Sequence, residues 1–223
     1  MNPILNAVIL FFVFRAIFKI RSLGEIDFFP YVYSGVLLVN FFTQAVTQAS
    51  EQLTNNSAVL RRVNIPGEIF VVSSVISNIV NFLFGFIPLL LYFFITGHEL
   101  SWTILGVPLL LLSLSFIVTP LALFLSVAYV YFQDLRFLVP VIMNLLFYLT
   151  PVFYDLEAIG GRTRVVMGLN PLVTYLQSFR STLSINGSIH FPSILTFTIA
   201  GFYALYLALR FMERNRMKAV FLS

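Results

Sequence analysis

Six long apolar runs dominate the chain: Pro3–Phe18, Phe29–Ala49, Ile69–Thr96, Ile104–Phe132, Phe137–Phe153 and Phe191–Phe211. A helix needs roughly 20 apolar residues to cross the hydrocarbon core of a bilayer, and these runs are of that order. Hydrocarbon offers no water to the backbone, so only helices and closed barrels span it. Barrel strands would alternate polar and apolar residues; these runs are continuous, which predicts helices. The third and fourth are long enough to tilt or to project beyond the membrane, while the first is short, with Met1 right at its start. Charged residues make up 10% of the chain against 59% hydrophobic, and the mean hydropathy is +0.95. A soluble domain carries about 25% charged residues. The expectation is therefore an all-α integral membrane protein with six transmembrane helices. Residues 1–223 form a single membrane domain, with no room for a second folded unit.

Basic residues set the orientation, because cytoplasmic loops collect them. With the N-terminus inside, the cytoplasmic segments hold seven: Arg61, Arg62, Arg136, Arg210, Arg214, Arg216 and Lys218. The outer segments hold five: Lys19, Arg21, Arg162, Arg164 and Arg180. The basic tail RFMERNRMKAV anchors the C-terminus inside, so both termini are expected in the cytoplasm. No Ala-x-Ala-like cleavage site follows the first run.

Two outer features stand out. Pro151 interrupts the fifth run near its outer end, and a long segment separates it from the sixth. Within that segment Asn170 can cap a helix and Pro171 suits its first position. Leu172, Tyr175, Leu176, Phe179 and Leu183 then recur at helical spacing. This helix is too short and polar to span, and is expected to lie in the outer interface or to dip in and return. Aromatic residues crowd two outer span ends: Phe28, Phe29, Tyr31 and Tyr33, then Phe147, Tyr148, Phe153 and Tyr154. An interfacial aromatic belt accounts for them. The sharper alternative puts Tyr33, Tyr148 and Tyr154 on a channel, each offering an apolar ring and a polar tip to a sliding sugar chain.

What the chain lacks narrows its function. Ion-coupled carriers place ionisable residues inside the bundle, yet runs two to six hold no Asp, Glu, Lys or His, and Arg210 is their only charge. Neutral Asn40, Gln44, Gln48, Asn78, Asn81 and Asn144 occupy the spans instead, suited to interhelical hydrogen bonds. Ala200, Ala204 and Ala208 provide small-residue spacing for packing on the last span. No phosphate-binding G-x-x-x-x-G-K-[ST] loop is present, and no nucleophile–base set or paired carboxylate lies within membrane reach. With no cysteine, there is no disulfide or thiol chemistry. Neither an enzyme, a cofactor, a metal nor a nucleic-acid partner is expected. A permease so equipped must draw its free energy from a partner.

One polar island, Ser50 to Phe70 with the sequence SEQLTNNSAVLRRVNIPGEIF, is where a cytoplasmic partner can dock. Leu53, Leu60 and Val63 can share one helical face with Arg61 and Arg62 on its flank, and Pro66 then opens the next helix. A solvated loop whose arginines only enforce topology is the competing reading from periodicity alone.

The order of these features resembles the membrane subunit of ABC-2-type exporters, specifically the polysaccharide and polyol-phosphate exporters for O-antigen, capsule and teichoic acid. The stretches that carry the resemblance are SGVLLVNFFTQAV, NNSAVLRRVNIPGEIF, YFQDLRFLVPVIMNLLFYLTPVFY and GLNPLVTYLQSFRSTL, nearly the whole chain in order. The resemblance implies two copies of this six-helix subunit with two cytoplasmic ABC ATPase subunits in a bacterial inner or plasma membrane. It makes the island a coupling helix, with Asn55, Asn56, Leu60, Arg61, Arg62 and Val63 at the ATPase. It makes the segment around Pro151, Asn170, Pro171 and Arg180 a re-entrant helical element. The cargo it implies is a lipid-linked glycan, with the same fold exporting a drug or small lipid as the alternative. Two features depart from the family pattern. The amphipathic helix that usually precedes the first span has no counterpart before Pro3, and the usual Arg-Asp after the fourth span is Gln133-Asp134 here.

The cysteine-free background gives a direct test of orientation. Ser57→Cys should react with impermeant thiol reagents only after the cytoplasmic side is opened, and Ser184→Cys should react in intact spheroplasts. The reverse pattern would invert the topology and remove the docking site.

Overall fold

A computed structural model describes residues 22–23, 26–63, 65–97, 102–153, 167, 170–184 and 191–222. The expected first span, Pro3–Phe18, and Tyr154 lie outside the described residues. Among the described residues the regular structure is helical, apart from a two-residue ladder in which β1 (Ser22–Leu23) pairs antiparallel with β2 (Ile26–Asp27). The helices are α1 (Phe28–Ser50), α2 (Gln52–Asn55), α3 (Ser57–Arg62), α4 (Glu68–Thr96), α5 (Val107–Tyr131), α6 (Leu135–Leu149), α7 (Pro171–Leu183) and α8 (Phe191–Leu222), with a 3-10 turn at Trp102–Gly106 before α5.

Among the described residues, three stretches are long and apolar enough to cross a membrane: Glu68–Thr96, Trp102–Tyr131 and Phe191–Arg214. Their outward faces carry large apolar side chains, with Phe94 and Trp102 more than four-fifths exposed. Apolar surface on that scale is stable against lipid, not water. Helix α1 is 23 residues long, but Thr43, Gln44, Thr47 and Gln48 make its second half more polar. Two of those groups find partners: Thr47 Oγ1 donates to the Thr43 carbonyl at 2.8 Å and Asn78 Nδ2 donates to Gln48 Oε1 at 3.0 Å.

Two helices differ from their hydropathy runs. Helix α6 stops at Leu149, short of the expected Phe153, because Thr150 precedes Pro151 and a residue before proline is pushed out of the helical region. Helix α8 continues to Leu222, past the expected Phe211. Its 32 residues amount to about 48 Å at helical rise, against about 30 Å of hydrocarbon. No glycine or proline interrupts Phe211–Leu222, so the helix outlasts the apolar run.

The described chain divides into two compact units, each assembled from three separated segments. The first gathers Met1–Asn40, Val80–Leu110 and Phe147–Ile194. At its centre Phe179 of α7 packs against Phe82 and Phe86 of α4, with ring centroids 5.7 and 5.8 Å apart. Pro88 weakens the α4 ladder locally, and in that turn the Tyr33 hydroxyl donates to the Gly85 carbonyl at 2.7 Å.

The second unit gathers Phe41–Ile79, Leu111–Leu146 and Leu195–Ser223. Pro120 has no N–H to offer the Phe116 carbonyl four residues before it. Gly201 of α8 comes up to that carbonyl so closely that an added Cβ would stand 2.5 Å from the oxygen. A Ser113–Thr198 hydroxyl bond and a Phe116–Phe202 ring contact flank this approach. Of the expected alanine row, Ala208 is buried but Ala200 is exposed.

Gly201→Ala tests this contact. In an open helix the change would stabilise by about 0.4–1 kcal/mol, but here the methyl meets backbone, and overpacking costs about 1–3 kcal/mol. The thermal midpoint of the detergent-purified protein should fall; an unchanged or raised midpoint would show that α8 does not approach α5 this closely.

Candidate functional site

The polar island belongs to the second unit, where it forms two short helices. Helix α1 ends at Ser50, Glu51 turns, and α2 runs four residues to Asn55. Asn56 breaks the path: its side-chain amide donates to the Gln52 carbonyl at 3.0 Å and to Gln52 Oε1 at 2.9 Å. An asparagine that bonds local backbone in this way competes with continued helix. Helix α3 then carries Arg61 and Arg62 in its last turn, where the helix dipole favours cations. Both arginines are exposed.

Leu53 and Leu60 point the other way and are buried. Both pack on Gly67, where an added Cβ would lie 2.6 Å from Leu53 Cδ2 and 3.2 Å from Met212 Cε of α8. Two expectations are corrected here. Val63 does not share the buried face, because it lies past the end of α3 in extended backbone and is 47% exposed. Pro66 does not open α4, which begins at Glu68; the Pro66 carbonyl accepts from Ile69 N at 3.3 Å instead. The outward surface therefore combines Val59, Val63, Arg61 and Arg62: an apolar patch edged by two cations. Arg136, at the start of α6, donates from Nη2 to Asn55 Oδ1 at 2.8 Å and ties the α5–α6 turn to this surface.

The second site lies in the first unit and centres on α7. Asn170 caps it as the sequence suggested, its Oδ1 accepting from Leu172 N at 3.0 Å, with Pro171 in the first turn. Asn170 Nδ2 also donates to Thr150 Oγ1 at 3.4 Å, reaching the break that follows α6. All five residues of the expected stripe are buried. So are Ser178, Arg180 and Thr182, which makes α7 a helix enclosed within the unit. Two of these polar positions, Arg180 and Thr182, are accommodated by bonds inside the unit, while Ser178 Oγ makes none among the described residues. Thr182 Oγ1 donates to the Phe179 carbonyl at 2.7 Å, and the Thr182 carbonyl accepts from Thr103 Oγ1 at 3.1 Å.

Arg180 is 7% exposed. Its Nη1 donates to the Pro151 carbonyl at 3.0 Å, Nη2 to the Val152 carbonyl at 2.7 Å, and Nε and Nη2 to the Tyr31 carbonyl at 3.3 and 3.2 Å. The guanidinium carbon lies 3.5 Å from the centroid of the Tyr31 ring, a close cation–π contact. The break after α6 thus meets α7 at two points, Thr150 at Asn170 and Pro151 and Val152 at Arg180.

Comparison with known proteins decides the family. Residues 1–184 match the family described as ABC-2 type transporter. The chain belongs to that family. Similar proteins include an O-antigen export system permease protein RfbA of Klebsiella pneumoniae, 24% identical over 201 residues, covering 88% of this chain and 76% of that protein. Another of that name from the same organism is 23% identical over 90% of this chain and 76% of its own length. One from Myxococcus xanthus is 24% identical over 81% of this chain and 69% of its own length.

Within this ABC-2 chain the three aromatic candidates part company. Tyr148 is 75% exposed. Tyr33 is 2% exposed, stacked on Phe29 at 5.4 Å and bonded to Gly85, so no sliding chain can touch it. That corrects its channel role: the hydroxyl serves the α4 backbone. Tyr154 lies outside the described residues. Three residues that matter were not singled out: Thr150, which meets the cap; Gly35, which clears room beside Arg180; and Gly67 under the island. Arg136, one of the basic residues expected on the cytoplasmic side, also bonds Asn55 of the island. A glycine within a span, a glycine after a proline and a threonine before one are the sequence signals these positions give.

Asn170→Ala removes both the cap and the Thr150 contact. Loss of an N-cap costs about 1 kcal/mol, so amide exchange across α7 should quicken about fivefold with α4 unchanged. Exchange at the wild-type rate would show that the cap does not hold the helix.

Proposed function

We propose that this chain is the permease subunit of an ATP-driven ABC exporter that moves a lipid-linked polysaccharide of the O-antigen, capsule or teichoic-acid type outward across the bacterial inner membrane. The observation that carries this reading is the match to O-antigen export permeases over most of the chain's length, 88% and 90% for two of them. The residue content of the spans supports it: uncharged second to fifth runs and the lack of a nucleotide loop leave ion coupling and self-powering without the groups they need.

In this reading six helices span the membrane, α6 being completed by the break at Thr150–Phe153, and both termini are cytoplasmic. The second unit then holds the cytoplasmic surface. Two copies of the chain pair with two ATPase subunits, each ATPase seating on Asn55, Asn56, Arg61, Arg62 and Val63. Leu60 contributes from below by fixing α3 on Gly67. Arg136 joins the docking set through its bond to Asn55. Helix α7 and the break after α6 form the outer element next to the exit, and Tyr148 is the aromatic candidate that remains available to a passing glycan.

Docking makes a sharp demand on charge. Replacing Arg61 and Arg62 together by Glu puts repulsion where complementarity is required, a change that can cost several kcal/mol at an interface. Insertion should be normal, since the flanking spans are untouched, while ATPase co-purification and export should be lost. Association and export both at wild-type levels would return the island to a solvated loop.

A further inference from the structure

The Thr150–Val152 break turns the backbone out of α6, and its carbonyls lose the donors that the next helical turn would have supplied. Arg180 reaches two of them, Pro151 and Val152, and at the same time the Tyr31 carbonyl near the start of α1. A guanidinium presents its N–H groups in one rigid plane, a shape an ammonium cannot reproduce. The Tyr31 ring covers its face. Room for it depends on Gly35, where an added Cβ would lie 3.0 Å from Arg180 Nη2 and 3.0 Å from Val152 Cγ1. The cap end of α7 is fastened to the same break through Asn170 and Thr150.

We propose that Arg180 is the positioning residue of the outer element: its guanidinium latches α7, the break after α6 and the start of α1 into one body, so that α7 moves only when the other two move with it. The proposal deepens the export reading and rests on it for the statement that this body borders the exit. The latch itself rests on the geometry alone. What it requires is the planar fork in a glycine-lined slot, not simply a positive charge in the core.

The test places a single reporter, Ser184→Cys, at the end of α7 in the otherwise cysteine-free chain, in membranes holding the full transporter. Thiol labelling is timed in the parent, in Arg180→Lys and in Gly35→Ala, beside a reporter in the other unit, Gln133→Cys. Loss of charge-assisted hydrogen bonds should free α7 locally and speed labelling at position 184 by about tenfold, with position 133 unchanged. Gly35→Ala keeps Arg180 and should do the same by crowding Nη2, so it carries the test if Arg180→Lys fails to accumulate. Unchanged labelling at 184 in whichever variants accumulate, or an equal rise at both positions, overturns the latch in favour of a general packing role. Export of glycan is followed in the same variants. Faster labelling with export reduced supports both readings. Faster labelling with export intact upholds the latch and counts against the placement of α7 at the exit.

Discussion

Peptide groups without partners in hydrocarbon are the constraint on which the rest of this structure depends. Every continuous helix satisfies its own ladder, but this chain leaves the helical path or weakens it at several points, and at three of them a group from elsewhere in the chain approaches. The break after α6 hands its carbonyls to Arg180. Pro88 in α4 is accompanied by the Tyr33 hydroxyl on Gly85. Pro120 in α5 is met by the backbone of α8 at Gly201. The side chains that answer these breaks lie far away in sequence, so the irregular points are also where separate segments are tied together.

Both the proposed docking surface and the proposed outer element lie at such irregular points. Regular apolar helices present lipid-compatible surface and little chemistry. The short helices α2 and α3 expose an apolar patch with two arginines because Asn56 turns the chain and Leu53 and Leu60 anchor it on Gly67. Met212 of α8 packs at the same glycine, so the island rests on the last helix as well as on the start of α4. A load applied to the island would therefore reach two long helices directly, a mechanical arrangement suited to a subunit driven by a separate ATPase.

Much of the fold was legible in the sequence. Continuous apolar runs marked α4, α5 and the first part of α8, since hydropathy reports directly on what lipid tolerates. Asn170-Pro171 marked the start of α7, because a cap and a first-turn proline act within a few residues. Hydropathy marks the membrane rather than the helix, however, and so it missed the extension of α8 to Leu222 and the stop of α6 at Leu149. The burial of Tyr33 and the carbonyl partners of Arg180 depend on residues tens of positions away. No local pattern encodes them. Gly35 and Gly67 were invisible for the same reason: their role is the side chain they leave out.

The central claim is that this permease is powered by ATP hydrolysed on a partner. It is tested most directly by reconstituting the chain with its bound ATPase in vesicles containing lipid-linked O-polysaccharide and measuring translocation to the far leaflet. The account predicts translocation that requires ATP, stops with a non-hydrolysable analogue and persists when proton and sodium gradients are collapsed. Translocation driven by an ion gradient without ATP would contradict it.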